Sequence, residues 1–155
     1  CRVEDISVRN RNGCFQALTE CIRYPLGQLL YHLSSSNSAS LLIETSYNPT
    51  IAIGLSVPPW PYHLEEMKSE VNLNVPSAAL NHIWKGYNSS FIGYITARGE
   101  DINESRRRAY RTIRNIATDE LIQYRRDIGR DFEETIKSLK EWNYLPKEVK
   151  CFTQN

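Results

Sequence analysis

The sequence predicts an α+β fold, in which a small mixed sheet packs against two or three helices. Apolar residues alternate with small or polar ones along residues 51–57, which is the period-2 pattern of a half-buried strand. Two more strand candidates, 81–87 and 91–97, are joined only by the hairpin connection Asn88-Ser89-Ser90. After Asp101 the periodicity becomes that of an amphipathic helix. The order of strand, helices, several strands and further helices, without an internal repeat, indicates the α+β class.

The first part of the chain is predicted to contain one strand and two helices. Apolar and polar side chains alternate along residues 3–10. Residues 14–22 are a helix candidate, and Pro25 suits the first turn of the next helix, where its missing N–H costs nothing. An amphipathic stripe on that helix is predicted from the spacing of Leu26, Leu29, Leu30 and Leu33. The polar run 34–40 then predicts a surface loop or a domain boundary.

Two helices in the C-terminal part begin with predicted capping boxes. Asp101 and Glu104 form a D-x-x-E pattern, which stabilises a helix start by about 1 kcal/mol. The predicted buried face of this helix consists of Ile102, Ala109, Ile113 and Ile116. Asp131 and Glu134 repeat the signal before a final helix that Pro146 ends. Its predicted core face consists of Phe132, Ile136, Leu139 and Trp142.

Charge, hydropathy and cysteine usage limit the classes of partner and compartment. The formal net charge is +1, so the whole chain carries no strong field for nucleic acid or membranes. No apolar run approaches the roughly 18 residues of a membrane-spanning helix. The four cysteines lack C-x-x-C spacing, which argues against zinc. Together with two glycosylation sequons, the even cysteine count would suit a secreted disulfide protein. Reduced thiols and a cytoplasmic location are the preferred interpretation.

Three motifs follow one another between residues 93 and 129 in the segment GYITARGEDINESRRRAYRTIRNI…LIQYRRDIG. They are Thr96-Ala97-Arg98-Gly99, then Ala109-Tyr110, and finally the run Tyr124-Arg125-Arg126-Asp127-Ile128-Gly129. In order and spacing, the segment resembles the C-terminal domain of glycinamide ribonucleotide synthetase (phosphoribosylamine–glycine ligase), an ATP-grasp enzyme of purine synthesis. RYPLGQLLYHL also resembles the helix that leaves the catalytic core in that family.

The resemblance implies a division of the chain and a mechanism. Residues 1–33 would be the end of an ATP-grasp core, and residues 34–155 a C-terminal α+β domain with a final helix. The nucleotide-binding segments would precede Cys1, so the chain alone would be inactive. Such ligases use ATP to convert a carboxylate into an acyl phosphate, which an amine then attacks. The implied partners are the missing core and a small-molecule substrate, with no membrane.

A metal and substrate site is implied at the start of the chain. VEDISVRNRNG resembles the family's strand whose Glu and Asn hold the magnesium that bridges ATP phosphates. Asp5 takes the Glu position, Ser7 the Asn position and Arg9 the Arg position, so the resemblance implies Mg²⁺ at Asp5 and Ser7 and substrate at Arg9. The family's next residues, Phe-Gly-Asp-Pro-Glu, are replaced by 10–14 of this chain. The alternative is therefore a non-catalytic interaction or scaffold module built from the same domain.

The resemblance also implies that Arg125 binds substrate in a cleft shared with the core. Neighbouring residues of an extended segment face opposite ways, so we expect Asp127 on the side of Arg125. Tyr124 is expected on the opposite side with Arg126, which points to solvent. The plain alternative is that Arg125 pairs with Asp127 or Asp131 and locks a structural turn.

A third interpretation concerns the arginine-rich helix 106–114. From Arg106 to Arg130 the sequence has eight arginines and three acids, an excess that a nucleic-acid-binding face could carry. The interleaved aromatic residues of a base-stacking platform are not evident in the sequence, so a solvated helix face is the expected role. Nucleic acid is therefore not expected as a partner.

Overall fold

The computed structural model describes residues 13–35, 48–58, 60, 73–86, 90–117 and 121–145. The predicted strand 3–10, with its candidate site residues, lies outside the described residues. The described elements, in chain order, are helices α1 (Cys14–Cys21) and α2 (Leu26–Ser34), strand β1 (Thr50–Ser56), a 3₁₀ helix (Ser77–His82), strands β2 (Ile83–Lys85) and β3 (Phe91–Arg98), helix α3 (Ile102–Ile116), strand β4 (Gln123–Tyr124) and helix α4 (Phe132–Glu141). The α+β class is confirmed.

The four strands form one sheet in the order β2-β3-β1-β4. The sheet was expected to be mixed, but each of its three described strand pairs is antiparallel. The central pair is β1 and β3, with Ile53 opposite Ile95. Strand β2 is shorter than the predicted strand 81–87, because residues 81 and 82 belong to the 3₁₀ helix that follows Pro76.

Helix α3 covers one face of the sheet and supplies its core. Ala109, Ile113 and Ile116 have no exposed surface, and they pack against the inward side chains of β1 and β3. Asp101 caps the helix as predicted, whereas the Glu104 carboxylate bonds the residue before the cap rather than the N–H of Asp101. The N–H of Glu104 donates to Asp101 Oδ1 at 2.6 Å, while Glu104 Oε2 accepts from the N–H of Glu100 at 2.8 Å. Two of the otherwise unpaired groups at this helix start are therefore satisfied.

Helix α1 packs on the opposite face of the same sheet. A Cβ placed on Gly13 would lie 2.9 Å from Ala52 and 2.7 Å from Tyr94, whose side chains alternate with the core-facing residues of β1 and β3. The helix therefore approaches the sheet closely at its N-terminus. It belongs to the predicted end of a catalytic core, so this segment touches the sheet that follows it. The predicted boundary after residue 33 stays a prediction.

The apolar faces predicted for α2 and α4 are not buried within the described part of the chain. Of the leucine stripe on α2 only Leu29 is buried, and Leu30 and Leu33 are exposed. On α4, Phe132, Ile136 and Leu139 are half-buried rather than buried, and Trp142 is 65% exposed. The predicted cap of α4 is also wrong, since Asp131 makes no side-chain capping bond. Its φ of −99° and ψ of 21° are not the extended conformation that aims a capping carboxylate at the helix N–H groups.

Candidate functional site

Arg125, the described member of the predicted substrate-binding pair, lies at the start of the turn after β4. Its side chain is 72% exposed and forms a fork on Asp127, with Nε donating to Oδ1 at 3.0 Å and an Nη donating to Oδ2 at 2.5 Å. The hydrogen bonds from Arg125 lower the pKa of Asp127 to about 2. The expected pairing of Arg125 with Asp127 is confirmed. The substrate-binding role of Arg125 stays a prediction.

The turn from Arg125 to Gly129 is fastened to α3 by two hydrogen bonds from side chains of that helix. The Tyr110 hydroxyl donates to the carbonyl of Arg125 at 2.9 Å, and Arg106 Nε donates to the carbonyl of Ile128 at 2.9 Å. Burial raises the pKa of Tyr110, against the opposing charge of Arg106. The turn is thus locked onto the helix.

An open cleft of about 560 Å³ lies beside this turn. We call it the arginine–tyrosine cleft after six residues that line it: Arg106, Arg107, Tyr110, Arg114, Tyr124 and Arg126. None of its described lining residues is acidic. The pairing of Tyr124 with Arg126 on one side of the extended segment is confirmed, because the Arg126 guanidinium carbon lies 5.9 Å from the centre of the Tyr124 ring.

The arginine–tyrosine cleft changes the interpretation of the arginine-rich helix. Strand β4 brings Tyr124 next to Tyr110, with their ring centres 6.2 Å apart. The Arg106 guanidinium carbon lies 6.0 Å from the centre of the Tyr110 ring. Aromatic rings therefore do stand among the arginines, contrary to the expectation from sequence. That expectation was wrong because one of the two tyrosines comes from a different element.

A second polar cluster joins α1 to the sheet. It lies at the C-terminal end of β3, beyond the residues of β3 that pair with β2. We call it the Glu20–His82 cluster; it consists of Glu20, His82 and Thr96. His82 Nδ1 lies 2.9 Å from Glu20 Oε1, and the Thr96 hydroxyl donates to the same carboxylate oxygen. Glu20 and Thr96 are largely buried, with the Glu20 side chain 11% exposed and that of His82 46% exposed. A cleft of about 350 Å³ adjoins the cluster.

The electrostatics of the Glu20–His82 cluster favour the charged pair. Burial of Glu20 opposes its ionisation, yet hydrogen bonds from His82 and Thr96 and nearby positive charge hold its pKa below the usual range. The hydrogen bond to Glu20 raises the pKa of His82 against the effect of burial. Arg98 donates to the carbonyl of Glu20 at 3.0 Å, so this guanidinium also holds α1 in place. The cluster therefore links α1 to the sheet through hydrogen bonds and opposite charges.

Sequence reasoning missed the Glu20–His82 cluster because its members come from three separate elements. Glu20 and His82 are 62 positions apart in the chain, and no spacing rule connects them. Within the described ranges, no group of three His, Cys, Asp or Glu side chains is placed to hold a metal ion.

The remaining predicted site residues, Asp5, Ser7 and Arg9, lie outside the described residues. No protein-family model matches this chain, and no curated protein matches it. The resemblance to the ligase family therefore depends on the motif residues themselves. In the described parts of the chain, no helix is long and apolar enough to cross a membrane.

Proposed function

We propose that the chain is the C-terminal portion of an ATP-dependent carboxylate–amine ligase resembling phosphoribosylamine–glycine ligase. The observation that carries this proposal is the contact between the two halves of the motif segment. The strand and helix of its first half, residues 93–116, hold the Tyr-Arg-Arg-Asp-Ile-Gly turn of its second half through Arg106 and Tyr110. Two motifs that are separate in the sequence, Ala109-Tyr110 and the turn, are thus in contact through Tyr110.

In this proposal the chain's own residues orient substrate groups. Arg125 holds a fixed, exposed guanidinium, because Asp127 engages one edge of its fork. A planar guanidinium suits a carboxylate or a phosphate, which it binds through two parallel hydrogen bonds. The cleft to which Arg125 contributes would be completed by the ATP-grasp core. If the pair of Arg125 and Asp127 only locks the turn, it makes the same contacts. A measurement of ligase activity distinguishes that role from substrate binding.

ATP and Mg²⁺ belong to the same proposal. ATP supplies the energy that activates a carboxylate for attack by an amine. Asp5 and Ser7 would offer oxygen ligands of the kind that magnesium prefers, and Arg9 would contact substrate. A cytoplasmic location is part of the proposal too. Among the described residues, Cys14 and Cys21 form no disulfide, which is compatible with that location.

The proposal is tested with a protein that contains both this chain and the ATP-grasp core that the proposal assigns to it. We expect ADP formation that requires both an amine and a carboxylate, with phosphoribosylamine and glycine as the first pair. Failure of a broad panel of amines and carboxylates to stimulate ADP formation would contradict the ligase assignment.

A variant pair tests the role of Arg125 in the same assay. Arg125→Lys keeps the charge but loses the bidentate fork, and we expect kcat/KM to fall about tenfold or more. Arg130→Lys is the matched control on the same turn, and we expect it to keep full activity. Equal activities of the two variants would assign Arg125 to the turn alone.

A further inference from the structure

The arginine–tyrosine cleft has a charge that the proposed ligase function does not use. Four of its residues are arginines, and none of the described lining residues is acidic. Within the described residues, Arg106, Arg114 and Arg126 form no ion pair, while Arg107 makes a loose one with Glu104 at 3.6 Å. A protein surface normally intersperses both signs of charge. A concave surface whose described charged side chains are all positive favours an anionic ligand.

The length of the cleft favours a ligand with several phosphates in a row. The arginines of α3 that line it run from Arg106 to Arg114, which is about 12 Å along a helix that rises about 1.5 Å per residue. Arg126 extends the positive surface onto the neighbouring turn. A single phosphate is held by one or two arginines grouped around it. Arginines that are spread along the cleft suit a ligand in which several phosphates follow one another.

The aromatic side chains indicate that the ligand is a strand of nucleic acid with exposed bases. Tyr110 and Tyr124 lie side by side in the cleft and are half-buried, so their ring positions are constrained. The hydroxyl of Tyr110 is also held by the carbonyl of Arg125. Tyrosine faces and arginine planes stack on the unpaired bases of single strands, whereas bases inside a duplex are stacked on one another.

We propose that the arginine–tyrosine cleft binds single-stranded nucleic acid. The arginines contact consecutive phosphates, and Tyr124, at the outer end beside Arg126, stacks on a base. Binding of this kind depends steeply on salt and only weakly on base sequence. The function is separate from ligation, because the described residues that carry it all belong to this chain.

The experiment measures fluorescence anisotropy of a labelled oligo(U) strand of about 15 nucleotides with the 155-residue chain. We expect binding that weakens steeply between roughly 50 and 200 mM salt. A duplex of the same length should bind less tightly. Inorganic tripolyphosphate should displace the strand poorly at an equal phosphate concentration. Duplex binding of equal strength, or full displacement by tripolyphosphate, would reduce the cleft to a general anion site and overturn the proposal.

Variants on α3 locate the binding face. Arg107→Gln and Arg114→Gln should each weaken binding about 3- to 10-fold and lower the slope of log affinity against log salt by about 1. Arg111→Gln is the matched control, because it removes the same charge from the same helix but lines the cleft beside the Glu20–His82 cluster. An equal loss in Arg111→Gln would mean that only net charge matters, and it would overturn the assignment to this cleft.

A variant of the aromatic residue tests stacking. Tyr124→Leu keeps an apolar side chain and the charge of the cleft, and we expect affinity to fall about fivefold or more with an unchanged salt slope. The circular dichroism spectrum shows whether the variant is folded. If it is not, Tyr124→Phe should retain affinity, since it keeps the ring. A folded Tyr124→Leu variant with full affinity, or loss of affinity in Tyr124→Phe, would contradict stacking.

Discussion

Gly129 adopts a φ of +74°, in the left-handed region, where the turn after β4 folds back along α3. A Cβ at this position would lie 3.2 Å from Ile102 Cδ1 and 3.3 Å from Arg106 Cδ. The backbone conformation therefore favours glycine, and the close approach to the helix leaves little room for a Cβ. The two hydrogen bonds that fasten the turn depend on this geometry. At the scale of one residue, Gly129 decides where Arg125 is held.

We expect Gly129→Ala to lower the free energy of unfolding by about 1–2 kcal/mol, because alanine is strained at this φ and would press on Ile102. Gly27→Ala is the control, since Gly27 lies in α2 with no atom within 4 Å of an added Cβ. There we expect a gain of about 0.5–1 kcal/mol, because alanine is the better helix former. Urea denaturation measures both changes. A neutral Gly129→Ala variant would contradict the account of the turn.

Helix α3 gives each of its faces a different environment. One face is the core, formed by residues that include Ala109 and Ile113. The flank with Arg106 and Tyr110 holds the turn and lines the arginine–tyrosine cleft. The other flank turns Arg111 toward the Glu20–His82 cluster. The arginines of one helix therefore divide between two clefts, and their shared sequence pattern does not imply a shared role.

The two predicted capping boxes should differ in strength. Asp101→Ala removes the acceptor of the Glu104 N–H, so we expect a loss of about 1 kcal/mol in the free energy of unfolding. Asp131→Ala removes a side chain that makes no capping bond, and we expect a change of at most a few tenths of a kcal/mol. The comparison is made by chemical denaturation of the two variants. Equal losses would show that the Asp131 carboxylate caps α4 in solution.

On the scale of the whole molecule, the sheet lies between α3 on one face and α1 on the other. The contact of α3 is a continuous apolar core. The contact of α1 depends more on polar groups, because Glu20 meets His82 and Thr96 and its carbonyl accepts from Arg98. Hydrogen bonds and charge are sensitive to protonation, whereas apolar packing is not. The stability of the α1 contact should therefore vary with pH.

The Glu20–His82 pair should stabilise the fold most between about pH 4.5 and 6.5. The pKa of His82 is raised above its ordinary 6.5 on folding, so its contribution is complete below 6.5 and is lost as pH rises through the folded value. The pKa of Glu20 is lowered below its ordinary 4.5, so its contribution is complete above 4.5 and is lost as pH falls through the folded value. Stability should therefore decline on both sides of this window.

Denaturation of the chain across a pH series tests this profile. His82→Gln should remove the decline above the window, and Glu20→Gln should remove both declines, since neither partner then gains a charged contact. His32→Gln is the control, because the contacts of His32 among the described residues are with Tyr24 and Tyr31. It should keep the original profile. A His82→Gln variant that still loses stability above the window would assign the pH dependence to other groups.

What the sequence alone determined about this protein is the part that depends on neighbours along the chain. The alternation along 51–57 and 91–97 predicted β1 and β3 to within a residue at each end. The Asp101 capping box predicted the start of α3. These signals are local, because a strand face repeats every two residues and a cap joins residues three apart.

The tertiary structure alone decided which distant residues meet. It shortened β2, left the apolar face of α4 without a buried residue, and joined Glu20 to His82 across 62 positions. It also placed Tyr124 beside Tyr110 among the arginines, which no periodicity along α3 could indicate. Such contacts depend on sheet order and on which helix covers which face. These are set by the sum of many weak contacts between distant segments rather than by any local pattern.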